Sequence, residues 1–244
     1  MGLPSLLLPL ALVVAAPTAD AGTVLSEVDA AARRAKDVTA TMKLTIVEPA
    51  GARAERTLRI WQKGTDRRMA KFTAPARLRG VGLLARGDDA LFLYLPAFGR
   101  VRRVVGRSRG DAFFGTDFSQ DDMARLSYAD RFTPTVAGSD EAHWLLRLDP
   151  KRPDDEPHHH LVLKARKADH VVAGIDFHDA ADGPAVRRIT ASDVRAIGPQ
   201  SIAHRIEAAD LKTGRKTTAV LEQVQVDGGI EDGFFTKRVL KRSP

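Results

Sequence analysis

Apolar and polar residues repeat first with a helical period and then, for most of the chain, with a period of two. Val24, Leu25, Val28, Ala31, Ala32 and Ala35 form one stripe at helical spacing, opposite Glu27, Arg33, Arg34 and Lys36. The spacing predicts a helix over 23–38, with Thr23 able to cap its start. After Val38 the period changes. Met42, Leu44 and Ile46 alternate with Thr41, Lys43 and Thr45 up to a turn at Glu48-Pro49-Ala50-Gly51. Ala54 to Gln62 repeats the alternation. Arg67 to Thr73 comes next, with Met69 set among the basic Arg68 and Lys71. Short turns between such runs predict an antiparallel meander.

Further short alternating runs, bounded by Gly, Pro or Asp, continue to Val226. Two features interrupt them. Ser119 starts a short helix, its hydroxyl placed to accept from the amide of Asp122. Asp232 to Leu240 reads as a terminal element docking through Phe234, Phe235 and Leu240. The expectation is a mainly β protein with few helices. About eleven strands would form a single strongly curved antiparallel sheet, an incomplete β-barrel. An N-terminal helix and the short central helix would cover it.

Composition adds a compartment. Leu3 to Ala16 is almost wholly apolar yet too short to span a bilayer comfortably, and small residues stand at Ala19 and Ala21. Residues 1–21 read as a signal peptide cleaved near Ala21, and residues 22–244 as one exported, periplasmic domain. An uncleaved apolar anchor is the alternative. There is no cysteine, so neither a disulfide nor a thiol nucleophile is available. With 43% hydrophobic residues the chain can bury a core. The net charge is +7, and it becomes +8 when residues 1–21, holding one acid and no base, are removed. A basic surface attracts anionic lipid or acidic partners. Export and the lack of a nucleic-acid motif argue against nucleic acid.

The densest stretch runs from Tyr94 to Asp122. Tyr94-Leu95-Pro96 leads into Arg100, Arg102, Arg103, Arg107 and Arg109, then Phe113-Phe114-Gly115-Thr116-Asp117-Phe118 and Ser119-Gln120-Asp121-Asp122. This pattern of YLP, paired arginines and G-T-D-F before an acidic helix resembles the outer-membrane lipoprotein-sorting proteins, relatives of the periplasmic lipoprotein carrier LolA. The resemblance covers nearly the whole chain after the signal. It implies a curved, incomplete barrel whose concave apolar face, covered by helices, receives acyl chains. Its partners would be the acyl chains of a lipid or lipoprotein, with an inner-membrane transporter or an outer-membrane acceptor at either end of the route.

Residues of the first strands and of this stretch are the candidate cavity lining: Leu44, Ile46, Ile60, Met69, Leu83, Leu91, Leu93 and Leu95, with Phe98, Phe113, Phe114 and Phe118 as a lid. The alternatives are a plain core and a loop pinned to that core by its own aromatics, which sequence does not separate. Arg102 and Arg103 are expected to pair with nearby Asp111, Asp117, Asp121 or Asp122. Arg107 and Arg109, between Gly106 and Gly110, are placed to meet an outside anion or partner. His158-His159-His160 does not make a metal site, because adjacent strand residues point to opposite faces, and it reads as a solvated loop end. No cofactor is implied. Ser108 and Ser119 lack a G-x-S-x-G setting and Asp121-Asp122 diverge, so no enzyme activity is expected. The second reading is a non-enzymatic envelope interaction module that docks a membrane transporter or an anionic membrane surface through the Arg/Phe stretch.

Overall fold

The computed structural model of the protein describes residues 20–64, 66–87, 90–125 and 127–242. The proposed signal peptide lies outside the described residues except for Asp20 and Ala21. Helix α1 (Ala21–Ala31) is capped by Asp20, whose carboxylate accepts from the Thr23 amide at 2.8 Å and the Thr23 hydroxyl at 2.9 Å. The expected helix over 23–38 therefore starts earlier, and Asp20 rather than Thr23 caps it. It also stops earlier, for a physical reason. The Ala35 amide donates to the Gln200 side chain and the Lys36 amide to Asp227, so these N–H groups are drawn away from a helical ladder.

Thirteen strands come after it, where about eleven were expected: β1 (Asp37–Val47), β2 (Arg53–Lys63), β3 (Arg67–Ala74), β4 (Gly82–Arg86), β5 (Ala90–Leu95), β6 (Arg100–Val104), β7 (Phe132–Ser139), β8 (His143–Pro150), β9 (His160–Arg166), β10 (Val172–His178), β11 (Ala185–Ile197), β12 (Gln200–Asp210) and β13 (Lys216–Val226). The short runs β4, β5 and β6 each pair as their own strand. One antiparallel sheet results, in the order β6-β5-β4-β3-β2-β1-β13-β12-β11-β10-β9-β8-β7. It is not closed.

That order makes the chain start at the middle of the sheet, walk out to one edge at β6, and reappear at the other edge at β7. Laid flat, thirteen strands would be about 60 Å wide. The segment between β6 and β7 crosses this width and touches β2, β11 and β13 on the way. Strands along the whole sheet also contribute buried apolar side chains to one core, from Leu44 and Phe72 to Leu146, Ile189 and Ala219. The sheet is rolled, and the crossing segment closes its concave side together with α1. Within that segment lies α2 (Gln120–Ala124). Ser119 caps it as expected, accepting from the Asp122 amide at 3.0 Å while Asp122 accepts from the Ser119 amide at 2.7 Å.

A second, smaller core lies on the opposite face. There α3 (Lys237–Leu240) and the residues before it pack Phe235 and Leu240 on Met69 and Leu84. Asp37 holds the approach to it by accepting from the amides of Gly228, Gly229 and Ile230. Lys71 donates to the carbonyls of Val239 and Arg242, and burial pushes its ammonium down to about 8. β3 is thus buried on both faces.

The edges carry their own protection. β7 holds Pro134 and a bulge between Val136 and Gly138, and β6 exposes Arg100, Arg102 and Arg103. Charge, proline and irregularity on edge strands oppose pairing with a second chain.

Gly110 packs so closely on Pro157 that a Cβ there would stand 2.5 Å from the proline ring. Gly110→Ala should cost about 1–3 kcal/mol through overpacking, read as a lowered midpoint in urea denaturation.

Candidate ligand cavity and the segment that closes it

The crossing segment owes its shape to its sequence. Phe114 (φ 49°) and Gly115 (φ 74°) both adopt left-handed backbone, which turns the chain back on itself. The Phe113 amide then donates to the Phe118 carbonyl at 2.8 Å, and the Thr116 hydroxyl donates to the Phe113 carbonyl at 2.8 Å. Phe113 stacks on Phe72 at 5.2 Å, and Phe114 meets both rings edge-on. The turn is therefore anchored by its aromatics.

Three aspartates fix the rest of the segment in place. Asp117 accepts from the Thr217 hydroxyl at 2.6 Å and from Arg215 at 2.8 Å, both on or beside β13. Asp122 pairs with Arg187 of β11, whose guanidinium also lies 3.7 Å over the Phe177 ring. Asp121 is almost fully buried and takes three guanidinium groups, from Arg109, Arg125 and Arg131. Glu156 adds a second carboxylate to the same cluster through Arg131. Burial alone would raise the Asp121 carboxyl, but its three arginines win and hold it well below the usual range. Arg125 is likewise held above its ordinary value by Asp121 and Glu156, against the effect of its burial. From the other side Asp29 of α1 accepts from the Ser127 hydroxyl at 2.7 Å and the amides of Tyr128 and Ala129.

Beneath this cover lies a cavity of about 330 Å³, within the usual size range of small-molecule sites. Its sheet side is mostly apolar and includes Met42, Ile60, Ile175, Phe177, Ile189 and Ile206. Val28 of α1 and Phe118, Met123 and Tyr128 of the crossing segment face them. Burial pushes the Tyr128 phenol up to about 12, so it stays neutral. Arg68, Gln62 and Arg125 are the polar groups on the β3 side.

The residues singled out from the sequence fall in different places. Ile60 and Phe118 line the cavity. Leu44, Leu83, Leu91, Leu93 and Phe113 are packed in the surrounding core, with Leu95 and Phe114 partly buried against it. Ile46 is also buried. Met69 lies on the other face, under the C-terminal segment. Phe98 is 71% exposed at the β5–β6 turn, away from any lid. Arg109 is buried against Asp121 and does not face outward. Arg107 is exposed and borders a polar pocket of about 300 Å³, with acidic Asp149, Glu156 and Asp179 in its wall. Asp117, Asp121 and Asp122 take their arginines from other positions than Arg102 and Arg103, which project from the edge strand.

The histidines are not a solvated loop end. His160 is buried and stacks on His178 at 4.4 Å, while His158 bonds Asp179 at 2.8 Å. Among the described residues no group of three or more His, Cys, Asp or Glu is arranged to hold a metal ion. Nor is any described helix long and apolar enough to cross a membrane.

A family model described as an uncharacterized protein matches residues 64–242. The chain belongs to that family. No curated protein matches it. Solved structures do. One is the crystal structure of a putative outer membrane lipoprotein-sorting protein domain from Vibrio parahaemolyticus. It is 21% identical with a TM-score of 0.81, over 91% of this chain and 98% of that one. Another is a DUF1329 family protein from Desulfovibrio piger, 22% identical with a TM-score of 0.82, over 90% and 97%. A third is a LolA superfamily protein from Nitrosomonas europaea, 17% identical with a TM-score of 0.74, over 90% and 98%. At these identities the likeness establishes the fold, an open LolA-type sheet.

Sequence reading missed Arg68, Arg125 and Tyr128 at the cavity. It found the strands β10 to β12 but not their part in the wall, because their alternation looks like that of any half-buried strand. A signal for Arg68 was present: it is the basic residue on the same side of β3 as Ala70 and Phe72.

Two outcomes are expected for the buried charges. Asp121→Asn leaves three guanidinium groups short of a counter-charge and should cost about 3–5 kcal/mol in urea denaturation. Burial pushes the His160 imidazole down to about 4, from about 6.5 when unfolded. The unfolded chain then binds the proton first as pH falls. Stability linked to this group is complete above pH ~6.5, declines between about 6.5 and 4, and levels off below. His160→Gln should flatten that part of the pH–stability curve.

Proposed function

We propose that the protein is an exported, non-enzymatic carrier that holds an acyl chain of a lipid or lipoprotein in this cavity and passes it across the periplasm. The observation that carries the reading is the apolar space of about 330 Å³ left between the sheet and its cover. A well-packed core has few voids larger than a water molecule, so a space of this size with an apolar wall fits a ligand site. Burial of a chain contributes about 0.8 kcal/mol per methylene, which needs no catalytic group. The family resemblance of the Tyr94–Asp122 stretch and the LolA-type fold support the same reading. An inner-membrane donor and an outer-membrane acceptor would complete the route.

The test is native mass spectrometry of the protein purified from the periplasm. Bound lipid is expected in the wild type. Ala191→Phe, which puts a ring into the cavity from β11 beside Ile206, should remove it while leaving the circular dichroism spectrum unchanged. A wild type free of lipid, and unable to take up a radiolabelled acyl chain, would contradict the proposal.

A second reading has its own observation. Phe98 stands exposed at the β5–β6 turn beside Arg100, Arg102 and Arg103 on the edge strand. An exposed apolar residue at the start of an arginine-bearing edge strand suits an anionic membrane surface. Phe98→Ser with Arg100→Glu should abolish sedimentation with anionic vesicles and leave lipid uptake intact.

A further inference from the structure

Four buried side-chain polar atoms have no hydrogen-bond partner among the described residues: Arg56 Nη1, Arg68 Nε, Gln120 Oε1 and Arg125 Nη1. Two of them, on Arg68 and Arg125, belong to side chains that line the cavity. Buried donors without acceptors are rare because each forfeits its hydration. Two such donors in the wall of one mainly apolar space call for an acceptor inside it.

Arg68 is the stronger case. Its Nη2 donates to Gln62 Oε1 at 2.7 Å, and its Nη1 reaches the Met123 and Arg125 carbonyls only at 3.4 Å. Gln62 is held for this by its own amide, which donates to the Ala32 and Gly64 carbonyls. No carboxylate forms an ion pair with Arg68 among the described residues, although two carboxylates border the same cavity. Asp29 is occupied by the 127–129 backbone and Ser127. Asp122 is occupied by Arg187 and the start of α2. Arg125 has its counter-charges in Asp121 and Glu156. Arg68 therefore stands as a half-buried cation whose Nε is fully enclosed and whose hydrogen-bond partners are all neutral, and desolvation pushes its guanidinium down to about 10. A charge partly withdrawn from water in this way is costly unless something of opposite sign reaches it.

The geometry points to a ligand that is a single acyl chain ending in an anionic group, a carboxylate or a phosphate, bound at Arg68, with Arg125 offering a second unpartnered donor in the same wall. This rests on the carrier reading and narrows it. A neutral ester-linked or amide-linked acyl group would bring acceptors but no charge. A volume of about 330 Å³ is at the small end of ligand sites, about 300–1,000 Å³, which suits one chain rather than several. From Arg68 on β3 to Ile189 on β11 is five strand spacings, about 24 Å along the sheet. The tail therefore lies along β1, β13 and β12 with its head at β3.

The test is displacement of a fluorescent fatty acid from the full mature protein by palmitate, hexadecyl phosphate and methyl palmitate. Wild type should prefer an anionic competitor over the methyl ester by roughly tenfold or more, the scale of a hydrogen bond to a charged group. The tighter of palmitate and hexadecyl phosphate identifies the head. Arg68→Met should erase the preference without weakening methyl palmitate, and Arg68→Lys should keep most of it. Equal affinity of the wild type for charged and neutral competitors would overturn the inference and leave the carrier reading standing. Failure of every competitor and of the probe to bind would overturn both. The wild-type comparison holds even if a variant fails to fold.

Discussion

One buried carboxylate organises this molecule. Asp121 draws Arg109, Arg125 and Arg131 around itself, and all three belong to the stretch that joins the two edges of the sheet. An open sheet of thirteen strands has no covalent reason to stay rolled. The joining segment supplies one only if it is itself rigid and fastened at intervals. Asp117 fastens it to β13, Asp122 to β11 and Asp29 to α1. Pairs of this kind add little net stability over an apolar core, yet losing one partner is expensive. Their effect is to fix one geometry for the cover, which is what preserves a space beneath it.

The fold was readable because the alternation of apolar residues is clean, and it is the alternation that sets a strand apart from a helix. The capping of α2 by Ser119 and the docking of Phe235 and Leu240 were readable too, since each is a local rule or a run of aromatics without another place to go. The face of a doubly buried strand was not. In β3, Met69 and Ala70 are both fully buried, so hydrophobicity alone leaves the parity undecided, and Met69 falls on the convex side. The arginines show a different limit. Asp117 and Asp122 are met by Arg215 and Arg187 from remote parts of the chain, partners that proximity in sequence did not offer. Long-range partners of a charge are set by how the sheet rolls, which a single sequence does not state.

The same roll explains why the cavity wall was missed. Its apolar side chains come from β1 and β2 at one end of the chain and from β10 to β13 at the other, made adjacent by the pairing of β1 with β13. The polar group assigned to the ligand, Arg68, sits opposite the most distinctive motif rather than in it. The motif builds the cover, and unremarkable strand positions build the site.

The most direct measurement is a crystal structure of the protein soaked with palmitate. The account predicts continuous density for one chain between α1 and β10–β12, with its carboxylate at the Arg68 guanidinium and Asp117, Asp121 and Asp122 still paired. A chain with its carboxylate in solvent would contradict the assignment of the head group. Density only on the convex face, or a cavity that stays empty at saturating palmitate, would contradict the claim that the crossing segment encloses a ligand site.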